Sequence, residues 1–178
     1  MRRPLSVALT GLGLVAALAA TTWIAAEDAR EGYFATEPRV AVAPGADGWA
    51  TIGESSVRLA SLSREHVVTD EYGAVWVAPD GYAAWRLVID VETSAGDAVS
   101  CAPRVVDAAG RVFTPVDGDA VDLTGWNAAE LDCGVQDDPR LETLFVLPDD
   151  AEPARVEIVD PLGWTFSPEF YRFELTDR

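Results

Sequence analysis

The run from Tyr82 to Thr93 places Trp85, Leu87, Ile89 and Val91 at every second position, with Arg86 and Asp90 between them. A period of two puts one apolar and one polar face on an extended strand, whereas a helix would scatter these residues around its axis. Similar runs surround it. Trp49–Ile52 stops at Gly53, and Val57–Leu62 alternates and continues toward Val67 or Val68. Pro103–Val106 and Arg111–Thr114 flank the turn signal Asp107-Ala108-Ala109-Gly110 and form a hairpin. Leu141–Leu147 ends at Pro148, Arg155–Val159 alternates, and Phe170–Leu175 sets Phe170, Arg172 and Glu174 opposite Tyr171, Phe173 and Leu175. Beyond residue 26 no window of 12 or more residues keeps a 3.6 period; Asn127–Leu131 is read as one helical turn. This punctuation predicts an all-β body, an antiparallel sandwich of seven or eight strands.

Ahead of that body, Arg2 and Arg3 precede an uncharged stretch from Pro4 to Ala26, and Glu27, Asp28 and Glu31 follow it. Twenty-three residues of helix span about 35 Å, enough for a hydrocarbon core of roughly 30 Å. The leading arginines set the N-terminus inside and the body outside. Ala17-Leu18-Ala19 offers a small-x-small cleavage site, but Trp23 and Ile24 prolong the apolar run past it. The reading is therefore a signal anchor over 1–26, a juxtamembrane linker over 27–48 that could add an edge strand at Arg39–Val42, and an extracytoplasmic domain over 49–178. The alternative is secretion after cleavage.

The body is strongly acidic. All 30 carboxylate residues lie at or after Glu27, against 11 arginines and no lysine, a net −19. Phosphate-rich polymers and anionic headgroups repel such a surface, which argues against nucleic acid. Two cysteines, Cys101 and Cys133, fall in the body. An even count outside the cytoplasm predicts a disulfide.

The order of signals carries a resemblance. Val57-Arg58-Leu59, Trp85-Arg86-Leu87-Val88-Ile89-Asp90-Val91 and Val105–Phe113 are followed by Leu144–Pro148 and Val156-Glu157-Ile158. Together they resemble an exported domain family of unknown function from Gram-positive, actinobacterial-type bacteria, with an immunoglobulin-like, telokin-like fold. The resemblance covers about 100 residues, Val57 to Val159. It implies fold and location, and brings no catalytic residues.

Chemistry is sparse. His66 is the only histidine, and no Gly-x-Ser-x-Gly elbow accompanies it. Asp117, Asp119 and Asp122 offer alternating hard oxygens for a weak Ca²⁺ site, although the closing glutamate of a 12-residue loop is missing. Trp126 and Trp164 sit in glycine-flanked turns, where exposed aromatics can anchor a partner. No cofactor motif occurs. The expected function is a non-enzymatic, membrane-anchored interaction or accessory module with an envelope protein partner. The alternatives are a cation- or ligand-binding domain and, third, an envelope hydrolase using paired carboxylates.

Overall fold

The computed structural model describes residues 38–70, 72–93, 100–116, 121, 123, 131–133, 140–159 and 168–175, together with 19, 21–23, 26 and 27. The chain divides into two compact units, Met1–Glu37 and Pro38–Arg178. In the first unit the described residues are helical. Most of the segment expected to cross the bilayer lies outside the described residues, and no helix among those described is long and apolar enough to cross a membrane.

The second unit is made of strands: β1 (Val40–Val42), β2 (Trp49–Ile52), β3 (Ser55–Glu65), β4 (Val68–Thr69), β5 (Val75–Trp76) and β6 (Tyr82–Thr93). Then come β7 (Ser100–Asp107), β8 (Val112–Phe113), β9 (Leu131–Asp132), β10 (Arg140–Pro148), β11 (Pro153–Val159) and β12 (Glu169–Glu174). One sheet runs β1-β12-β11-β7-β8, with β9 also on β7; the other runs β10-β6-β3-β2. The two pack as a sandwich. The alternation of β6 is obeyed: Leu87, Ile89 and Val91 enter the core with Val57, Phe145 and Leu147, and meet Val105, Val156, Ile158, Tyr171 and Phe173 of the opposite sheet. Each of these large side chains contributes roughly 1.5–3 kcal/mol by leaving water. The buried Tyr171 hydroxyl ties the layers together by donating to the Ser55 carbonyl at 3.1 Å.

Turn chemistry matches the sequence at two places. Gly53, at φ 59°, opens the two-residue loop that folds β2 onto β3. Gly110, at φ 82°, closes the Asp107–Gly110 turn, its N–H donating to the Asp107 carbonyl at 3.0 Å. A left-handed backbone at both positions favours a residue without Cβ.

Four expectations change. The strand beginning near Val57 stops at Glu65 rather than Val67 or Val68, because Val68 turns into a separate hairpin with Trp76. Its register with β6 slips between Leu59 and Ser61. The extra residue, Ala60, lets Leu62 face the core where strict alternation would expose it. Residues 127–130 of the expected helical turn lie outside the described residues, and Leu131, read as its last residue, instead opens β9, opposite Cys101 of β7. Finally, β1 runs parallel to β12. Its pairing partner is distant in sequence, so no hairpin dictates its direction.

The outer face of the four-stranded sheet carries a second apolar cluster. Ala84 of β6 and Leu144 of β10 point away from the main core and are covered by Val68, Trp76, Ala78, Val121 and Leu123. Trp76 of β5 is one of the side chains packed on this face.

Candidate functional site

Cys101, at the start of β7, is disulfide-bonded to Cys133, just after β9, with Cα atoms 5.7 Å apart. Both lie in the main core. Burial withholds the bridge from attacking thiolates and gives it a structural role. Closing this loop stabilises the fold by roughly 3–4 kcal/mol in the chain-entropy description.

The other residues singled out from sequence, Asp117, Asp119, Asp122, Trp126 and Trp164, lie outside the described residues. Among the described residues no group of three or more His, Cys, Asp and Glu is placed to hold a metal ion. His66 follows β3 as an exposed residue.

What sequence reasoning missed is a cluster on the outer face of the six-stranded sheet. Glu157 sits on β11 between β7 and β12, directly opposite Arg104 on one side and Arg172 on the other. Arg155, two residues earlier on the same strand, shares that face. All three arginines converge on the one carboxylate. Arg104 Nε donates to Oε2 at 2.8 Å, Arg155 Nε to Oε1 at 2.8 Å, and Arg172 Nη2 lies 3.0 Å from Oε1. The Glu157 side chain is 4% exposed, while the arginines are 29–36% exposed. Phe170 of β12, itself buried, lies beneath two of them, its ring centroid 5.8 Å from Arg104 Cζ and 5.0 Å from Arg172 Cζ. Burial alone would raise the Glu157 pKa, but hydrogen bonds from Arg155 and Arg104 and their charge outweigh it and hold the carboxyl below its usual range. Three guanidiniums this close repel one another by on the order of 1–3 kcal/mol per pair at a surface-like dielectric. One carboxylate offsets only part of that, so the cluster keeps two positive charges in a chain of net charge −17.

A related group occupies the outer face of the four-stranded sheet. Asp90 of β6 accepts from Arg140 Nε at 2.9 Å and from Arg58 Nη2 at 2.7 Å. Those two bonds, against the opposing effect of burial, lower its pKa. Arg58 also stacks 4.8 Å from the Trp49 ring centroid. On the same sheet Arg86 lies between Glu65 and Glu142, each at 3.4 Å. At the β7–β8 turn, buried Asp107 would be raised by desolvation. The Arg111 side chain (2.6 Å) and N–H (2.7 Å) prevail and lower it.

The third surface feature is apolar. The β4–β5 hairpin turns its inner side to the second cluster and leaves Val67, Val75, Val77 and Tyr72 exposed, at 49–77%. Its turn is held by Asp70 Oδ1, which accepts the N–H groups of Tyr72 and Ala74 at 2.9 and 2.7 Å. Alternation at Val75-Trp76-Val77-Ala78 was the available sequence signal.

No family model and no curated protein matches the chain. Two solved structures are similar to it. One is a conserved hypothetical protein from Bacillus anthracis, 14% identical, with a TM-score of 0.42 over 61% of this chain and 83% of that one. The other is an uncharacterised beta-sandwich protein from Clostridium difficile 630, 9% identical, with a TM-score of 0.45 over 79% of this chain and 96% of that one. These are uncharacterised bacterial proteins, and the likeness indicates no function.

Proposed function

We propose that this chain is an exported, membrane-held sandwich of immunoglobulin-like type that acts as a protein-interaction module of the cell envelope and performs no catalysis. The observation that carries the reading is the exposed valine and tyrosine face of the β4–β5 hairpin. Exposed apolar side chains on a tied ribbon, backed by its own buried cluster, are suited to docking a protein. Export is supported by the arginine-led apolar segment and by the buried Cys101–Cys133 bridge, a bond that persists in oxidising compartments. The case against catalysis rests on direction: Asp90, Asp107 and Glu157 are all pushed away from neutrality, whereas a general acid or base works near ambient pH.

Site-specific photocrosslinking of the full chain in its native membrane tests this. A photoreactive residue at Val77 is expected to capture one envelope protein, and the same residue at exposed Glu152 is not. V75E combined with V77E should abolish the product. Equal yields from both positions, or no product from either, would reject the reading.

A further inference from the structure

The arginine cluster around Glu157 holds more cation than its carboxylate needs. Two guanidiniums suffice to pair and orient that carboxylate, as Arg58 and Arg140 do for Asp90. Here there are three, held in advance by Glu157 and, for two of them, by the ring of Phe170. Arg104 and Arg155 use their Nε donors on Glu157, and their Nη groups make no other hydrogen bond with the described residues. The Nε of Arg172 also has no hydrogen-bond partner among the described residues, but it is buried, so the donors open to a ligand are the Nη groups. Glu174, the register partner of Arg155, makes no ion pair with it and lies exposed on the same face, which directs a ligand toward the Arg104–Arg172 side.

The geometry points to this cluster as a binding site for a tetrahedral oxyanion of the phosphate class, seated on the guanidinium donors that Glu157 leaves unfilled. Guanidiniums approaching from β7, β11 and β12 suit a ligand with several oxygens better than a second planar carboxylate. Because the donors are already ordered, binding loses little side-chain freedom. At physiological salt the screening length is about 8 Å, so the local excess outweighs the distant acidic surface. The phosphate can be free, or part of a phosphodiester in a headgroup or polymer. Both sources offer the same oxygens. This site is independent of the hairpin face and of the function proposed for it.

The test uses the full chain in non-ionic detergent, with ³¹P NMR and thermal unfolding read against inorganic phosphate and against glycerophosphoglycerol. Chloride at matched ionic strength is the control. Saturable binding of inorganic phosphate, with a rise in Tm that chloride does not give, is expected for a free or terminal phosphate. Preference for glycerophosphoglycerol would support the site with a diester as its ligand. R104Q and R172Q should each weaken binding by about tenfold, the loss of one charge-assisted contact, while R58Q leaves it unchanged. E157Q guards against a variant that merely unfolds: it raises the net positive charge of the cluster by one while its amide oxygen still accepts from the arginines, so phosphate should bind it more tightly and raise its Tm by more than that of the wild type. Absence of saturable binding by either compound, or an equal response from E157Q and wild type, would overturn the proposal.

Discussion

On the four-stranded sheet, Asp90 lies between Arg58 of β3 and Arg140 of β10, each its register partner. On the six-stranded sheet, Glu157 lies between Arg104 of β7 and Arg172 of β12 in the same relation. Both are buried acids on an interior strand with a guanidinium from either neighbour, yet their surroundings differ. Around Asp90, the ion pairs of Arg86 with Glu65 and Glu142 bring the group to equal numbers of each charge, and Ala84 and Leu144 are sealed under apolar side chains. Around Glu157 a third arginine arrives, and the exposed Glu174 opposite it forms no ion pair with it, leaving three arginines to two acids. One outer face is finished by its own residues, and the other keeps charge to spare. The contrast teaches that arginine in an acidic, lysine-free body is spent on specific carboxylates, so an excess marks a place where something further binds.

That contrast can be broken experimentally, most severely through the covalent tie of the six-stranded sheet. Replacing Cys101 and Cys133 together with alanine should lower unfolding free energy by roughly 3–4 kcal/mol in urea, since β9 is then held to β7 only by its short ladder. A loss below about 1 kcal/mol would mean that side-chain packing alone secures that layer. The matching strike on the four-stranded sheet is Leu144→Ala. Its side chain lies outside the main core, and a genuine second core predicts a loss of about 2–4 kcal/mol with an unchanged urea m-value. The smallest effect compares the two acids directly. D90N and E157Q should each cost about 1–2 kcal/mol at pH 7. Their folded pKa values lie below the unfolded ones, near 3.9 for Asp and 4.3 for Glu, so this stabilisation is present above those values. It fades as pH falls through the folded pKa. The Tm gap between wild type and either variant should therefore be constant from pH 7 to about 5 and close on further acidification. A gap that does not narrow at all on acidification would show that shape rather than charge sets the cost.

How much of this was legible in the sequence depends on the range of each interaction. Strand β6 could be read residue by residue because alternation is local, and the Asp107–Gly110 hairpin because a turn and its flanks are contiguous. The Cys101–Cys133 pairing followed from having only two cysteines in a body read as exported. The Glu157 cluster could not be read. Arg104 is 53 residues from Glu157, and only the order β12-β11-β7 brings them together. The Arg155-x-Glu157 spacing on one strand face was the single local hint. Strand β9 was equally hidden, since two residues carry no period and their partner is β7.

The slip at Ala60 reaches further than Leu62. It divides β3 into two stretches of opposite phase: Val57 and Leu59 face inward before it, while Ser63 and Glu65 look outward after it, opposite Arg86 and Ala84. Because the ladder bulges there, Glu65 lies on the outer face and pairs with Arg86. Deleting Ala60 would set Ser61 directly after Leu59 and leave every pairing down to Glu65 as it is, closing the bulge. An unbroken ladder through the full sequence would instead send Glu65 toward hydrocarbon and Leu62 toward water. The slip is what reconciles the length of this strand with the placement of its side chains.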